Sequence, residues 1–320
     1  VFDVSESSFT IEIGPQPGWT TQTTTVNSKI LCVDVIDTLF AYAGTIDGKI
    51  LKTTNGGINW TVPSSALGGE VTSISAINNV RTLVIVNTDT STRIRRTVAG
   101  GIGWSTVYQD NSVGAHLNAI TMLDDLNGFA IGNPVSGQWV ILKTTDAGVT
   151  WNSASTLAHN GIDLGLSNSM KWIDTQNGWF GTDNSKIYRT TDGGATWISS
   201  STTFQNNNAI TFTDLSSGVT AGEEINWTSD GGATWFTQAS QINSEIVSAG
   251  SPEQVDGKFF FVTGGDVYKT GDSGGNYSLD YSQTDTLNFI DVELVKVEEN
   301  YWITGYEVGD SGTIAKYKEL

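Results

Sequence analysis

The chain of 320 residues holds one cysteine, two histidines and five arginines, and each scarcity excludes something. A lone Cys32 rules out an intrachain disulfide and any metal site built on paired cysteines. It sits in the apolar run Ile30-Leu31-Cys32-Val33, where a buried, inert thiol is expected. Lys and Arg together number 16 against 34 acids, a net charge of −18. Such a balance repels nucleic acid and anionic membrane faces and leaves cations, basic partners or simple solubility as its uses. No run of eighteen apolar residues occurs and no charged-then-apolar leader, so neither membrane insertion nor a retained signal peptide is expected. Helical repeats are disfavoured because no window between the repeated stretches described next sustains a 3.6-residue period. A nucleophile elbow, a phosphate loop, a dinucleotide fingerprint and a metal-protease motif are all missing.

What the chain does have is a repeat. The stretch Thr190-Thr191-Asp192-Gly193-Gly194-Ala195-Thr196-Trp197 returns in copies ending at Trp60, Trp104, Trp151, Trp197, Trp235 and, weakened, Tyr277, at separations of 44, 47, 46, 38 and 42 residues. A β-branched run such as Val140-Ile141-Leu142-Lys143-Thr144 reads as a strand, and the Asp-x-Gly after it as turn chemistry. The Asp side chain accepts from backbone N–H groups two residues on, and the Gly takes positive φ. Each copy is thus a β-hairpin with Asn55, Asp146, Asp192, Asp230 or Asp272 forming its turn and the closing aromatic pinned against the sheet. Ala99 replaces the acid in the second copy, and that hairpin is expected to be less well fixed.

A self-similar period near 43 residues with several strands per copy signals propeller blades. The predicted fold is all-β: a seven-bladed β-propeller with four antiparallel strands per blade. Trp19 lies 41 positions before Trp60 and so occupies the end of a copy whose first half is missing. The last residues, Gly312-Thr313-Ile314-Ala315-Lys316-Tyr317, match the strand before a turn. The strand from about Gly18 to Thr23 is therefore expected to complete the blade that begins near Leu287, closing the ring and removing exposed edges. Residues 18–320 form one domain in this reading, and 1–17 a tail or linker stub.

The stretches around Asp192 and Asp230 resemble the Asp-box, or bacterial-neuraminidase repeat. With Asn127-Gly128-Phe129-Ala130-Ile131-Gly132 preceding Lys143-Thr144-Thr145-Asp146, the longer unit looks like the propellers that include the photosystem II assembly and stability factor and sortilin-like relatives. The resemblance implies the fold but not one function, since the box occurs in sialidases, glycosidases, receptors and non-enzymatic scaffolds. A sialidase would need three arginines converging from different blades, whereas Arg81, Arg93, Arg95 and Arg96 share one blade and Arg189 precedes a box turn. An arginine-rich binding face like that of the photosystem factor is equally missing.

Candidate binding residues are instead acidic. Asp47, Asp89, Asp183, Glu223 with Glu224, Asp266, and Glu307 with Asp310 fall in turns between second and third strands, which would make one end of the channel negative. Two readings stay open: polar turns kept for solubility, or a site for a cation or basic partner, calcium included. Trp172, on an inner strand, is the aromatic placed to reach the channel and stack on a sugar, against packing between blades as the alternative. His116 and His159 fall on one face without a third ligand at recognisable spacing, so the metal content is undetermined and no cofactor is expected. The chain reads as a non-enzymatic, secreted or cell-surface scaffold that docks a protein partner or its own copies. A carbohydrate-active propeller is the alternative.

Overall fold

The computed structural model describes residues 18–238, 242, 244–251, 258–270, 277–282, 288–296 and 303–319. The expected tail 1–17, the turn acid Asp272 and the start of the last blade near Leu287 lie outside these residues. Among the described residues there is no α-helix, and regular structure is antiparallel sheet apart from one parallel bridge and one short 3-10 turn at Asp310–Gly312.

Leu117–Met122, Gly128–Val135, Gln138–Thr144 and Asn152–Ser153 form a four-stranded meander in that order. Glu70–Ala76 to Ser105–Asp110 repeat it, as do Ile246–Gly250 to Ser278–Ser282. Two further sets, Gly165–Trp172 to Ile198–Ser201 and Ala209–Phe212 to Phe236–Gln238, are joined by a single parallel bridge from Asn168 to Ala209. Ile30–Val35, Ala41–Thr45 and Ile50–Thr53 make three strands, with an isolated bridge from Lys52 to Thr61 in the fourth place. Phe289–Lys296, Ile303–Gly309 and Ile314–Glu319 take their outer strand from the other end of the chain: Gly18–Gln22 pairs antiparallel with Ile314–Glu319, Trp19 opposite Tyr317.

The first strands of successive sets pack beside one another from Ile30–Val35 round to Phe289–Lys296, which in turn packs beside Ile30–Val35. Burial follows from this. Second strands such as Phe259–Thr263 and Gly178–Thr182 are buried along their whole length, because sheets cover both of their faces and the sequence there runs apolar or small without alternation. Outer strands such as Ile198–Ser201 are largely exposed. The core is a series of layers between sheets. Trp60, Val33 and Leu51 of the first set meet Tyr306, Val308 and Ile314 of the last, and Ile131, Trp139 and Ile141 meet Phe180 and Tyr188 of the set after their own.

The repeated turns are tied by side chains. Thr190 Oγ1 donates to Asp192 Oδ1 (2.9 Å) and accepts from the Gly194 N–H (3.0 Å), while Asp192 accepts the Thr196 N–H (2.9 Å) and hydroxyl (2.5 Å). Thr144 with Asp146 and Thr228 with Asp230 reproduce the set, and Asn55 accepts the Asn59 N–H (3.0 Å). The acid thus reaches four residues on, not two, because Gly193 and Gly194 at φ of 72° and 87° curl the chain back over the carboxylate. The Thr150 and Thr234 hydroxyls, then their N–H groups, hold Asp146 and Asp230 at about 2. The turn at Ala99 departs from this pattern without being loose: the Thr97 hydroxyl donates to the Ile102 carbonyl (2.7 Å) and a bridge joins Ala99 to Ile102.

Candidate functional site

An innermost strand pairs with a neighbour on one side only, so its other edge presents unpaired N–H and C=O groups that have to be satisfied. Short polar side chains do this from strand to strand around the hub. Asp34 Oδ2 accepts the Ala76 N–H (2.5 Å), Ser73 Oγ that of Ile120 (3.1 Å) and Ser75 Oγ that of Met122 (2.9 Å). Asp291 spans three sets: it accepts the Val33 N–H (3.1 Å), the Ser248 hydroxyl (2.9 Å) and the Val292 N–H (2.9 Å).

Within this ring lies a chamber of about 530 Å³, lined by the first strand of each set and, on five of them, by the residue just past the strand's end. A register shift between Gly165 and Met170 pushes Asn168 inward, and its Nδ2 donates to the Val247 carbonyl (3.3 Å) and the Ile290 carbonyl (3.0 Å) on strands across the hub. That side chain floors the chamber. At the other end Ile36, Ile77, Leu123, Ile173 and Val295 stand at matching positions and make an aliphatic collar. Burial raises Asp34 and Asp291 to about 6 against the pull of their N–H donors, and Asp291 pushes Asp34 up further.

No family model matches the sequence, and no curated protein does. Solved structures do. A structure of YCF48 bound to D1 peptide has a TM-score of 0.75 at 16% identity, covering 96% of this chain and 98% of that one. YCF48 from Cyanidioschyzon merolae gives 0.73 at 15%, covering 94% and 98%, and the WD40 β-propeller domain of Doa1 gives 0.69 at 11%, covering 95% and 98%. The fold is a β-propeller. Identities this low speak for the fold alone.

The acids expected on one face of the propeller are not a single cluster. Asp47 and Asp89 share a groove of about 590 Å³ with Glu70 and His116. Desolvation opposes ionisation of Asp47, but hydrogen bonds from Lys49, Thr45 and Ser28 win and hold it at about 2. Asp183 accepts the Leu164 N–H (2.7 Å), Asp266 the Ser282 hydroxyl (2.6 Å), and Asp310 faces Lys29 (3.3 Å) and Asn288 (3.1 Å). Glu223 and Glu224 are exposed on their turn. Glu307 is a correction: it lies inside Ile303–Gly309 with 0% exposure, because the strand runs on past the expected turn, and burial, then Asp280, drives its carboxyl well above the usual range.

Trp172 is a second correction. Its indole is 4% exposed, stacked on Phe129 at 3.5 Å between centroids, edge-on to Trp197 at 5.9 Å, and covered by Gly178, where a Cβ would strike the ring. Packing between blades wins, and no face is open to a sugar. The next interface repeats the device with Trp179 on Phe212 (3.9 Å), Trp235 edge-on at 6.0 Å and Gly218 beneath. The turn aromatics close these layers. Trp60 packs edge-on to Tyr306 (5.4 Å), Trp151 is buried, Trp104 and Trp197 donate to the Gly101 and Gly194 carbonyls, and Trp19 Nε1 donates to Asp280 (3.0 Å). Among the described residues no group of three His, Cys, Asp or Glu could hold a metal ion. His116 lies 3.3 Å from Asn87 and His159 3.4 Å from Asp163. Cys32 is buried, its Sγ donating to the Val71 carbonyl (3.4 Å).

Sequence reasoning passed over the chamber acids. Their signal was visible: Val33-Asp34-Val35 and Ile290-Asp291-Val292 each set an Asp between two aliphatic residues.

Proposed function

We propose that the chain is a protein-docking scaffold: a seven-bladed propeller, residues 18–320, whose ring closes where Gly18–Gln22 completes the last sheet. The observation that carries the reading is the hub chamber, a cavity of about 530 Å³, the size of a ligand pocket, with a floor, a collar and hydrogen-bonding groups tied into its wall. Asp34 and Asp291 are engaged as acceptors between strands and so are poorly placed to exchange protons with a substrate. The YCF48 structure that shares the fold holds a D1 peptide, which supports a peptide or protein ligand here by analogy of fold. The expected secreted or cell-surface location belongs to this reading on composition alone, few Lys and Arg among many Thr, Ser, Asn and Gly.

The test is cross-linking in the native source, identification of the linked protein and reconstitution of the complex from purified components. A reconstituted complex supports the reading. Failure of every purified candidate to bind, together with binding or hydrolysis on a glycan array, would overturn it.

A further inference from the structure

The chamber is two environments in series. Its collar is made of aliphatic side chains from five inner strands, and deeper, by two residues on one strand and four on another, lie the carboxyls of Asp34 and Asp291. At about 3.3 Å of rise per residue the acids stand about 7 to 13 Å below the collar. A ligand matching that sequence carries an apolar stem ending in a positive charge. Lys and Arg have that shape, since their methylene stems pack on apolar surface while the charged head stays in polar surroundings.

We propose that the hub chamber receives a lysine or arginine side chain at the tip of a protein partner, its stem against the collar and its cationic head beside Asp34 and Asp291. This rests on the docking reading above and names the chemistry of what docks. The charged groups lining the chamber are Asp34 on Ile30–Val35, Asp291 and Glu293 on Phe289–Lys296, and Lys171 on Gly165–Trp172, three negative and one positive. That excess repels an anionic peptide and attracts a cationic one. A bare divalent ion fits less well: among the described residues no three His, Cys, Asp or Glu side chains converge, and an aliphatic collar gives nothing to a hydrated ion. Two carboxylates raised to about 6 are ionised at neutral pH in a site that disfavours their charge, and an entering cation relieves that penalty.

The probes are blocked pentapeptides, Gly-Gly-X-Gly-Gly, with X as lysine, arginine, norleucine or acetyl-lysine, titrated calorimetrically into the whole chain at pH 7.5. The lysine and arginine peptides are expected to bind at least tenfold more tightly than norleucine and acetyl-lysine. Asp34→Asn and Asp291→Asn should each weaken them at least tenfold, and Glu223→Gln, out on an exposed turn, should not. Lowering the pH to 5 should weaken binding as well, since the carboxyls then hold protons. Equal binding of lysine and norleucine peptides, or no binding at millimolar concentration, overturns the proposal. Should the Asn variants not fold, a diazirine beside the lysine decides on the unmodified protein: labelling at Ile36, Ile77 or Leu123 supports the chamber, and labelling confined to outer turns overturns it. A reconstituted protein partner that binds Asp34→Asn and Asp291→Asn at full strength leaves the docking reading intact and sinks this one.

Discussion

The two hub carboxyls should make the protein lose stability as the pH rises from acid to neutral, and replacing them should remove their share of that slope. Asp34 and Asp291 titrate near 6 in the folded chain against 3.8 for the free side chain, so the native state binds protons more tightly than the unfolded one. A raised carboxyl contributes its stability below the unfolded value and loses it as the pH climbs through the folded one. Linkage between those two values gives a loss of about 1.4 kcal/mol per site from pH 5 to pH 8. Asp291→Asn keeps an oxygen for the Val33 N–H and removes the charge. Its stability relative to the unsubstituted protein should therefore rise by about 1.4 kcal/mol over that interval, and by about twice that with Asp34→Asn added. Urea denaturation followed by tryptophan fluorescence at several pH values measures the difference. His116, pushed down by burial, runs the opposite way, and Glu307 the same way, but both are present in each protein and cancel in the comparison. The turn acids Asp146 and Asp230, near 2, contribute their change only as the pH falls toward that value. A difference that is flat or falls with pH would refute the assignment of these carboxyls as desolvated hub groups.

Four further substitutions probe the turns and the packing. Thr190→Val leaves the buried Gly194 N–H without its acceptor and should cost about 1–3 kcal/mol in denaturant titration. Gly178→Ala drives a methyl into the Trp172 ring and should cost about 1–3 kcal/mol, whereas Gly265→Ala, with open space around it, should be close to neutral by the same assay. Trp172→Ala empties the interface between Phe129 and Trp197 and should lower stability by about 3–5 kcal/mol, read as a drop in the denaturation midpoint.

The strands, the hairpin turns and the blade aromatics were legible in the residues because each depends on neighbours in sequence. A Thr two places before an Asp and a Gly two after it build the same turn at Asp146, Asp192 and Asp230. The pairing of Trp19 with Tyr317 could be anticipated from the repeat, since an incomplete first copy and an incomplete last one are complementary. Which way a side chain leaves an inner strand could not, because that depends on what the adjacent sheets have already filled. Trp172 turns into the layer between sheets because Phe129 and Gly178 shape a slot for its ring, and Glu307 is interior because its strand continues through the place where a turn was expected. The chamber is the clearest case of all. Asp34 and Asp291 are 257 residues apart in the chain and become one site only when the inner strands of the first and last sets lie side by side. Local chemistry chose the modules, and only their assembly about a common axis decided which few polar groups would face one another across it.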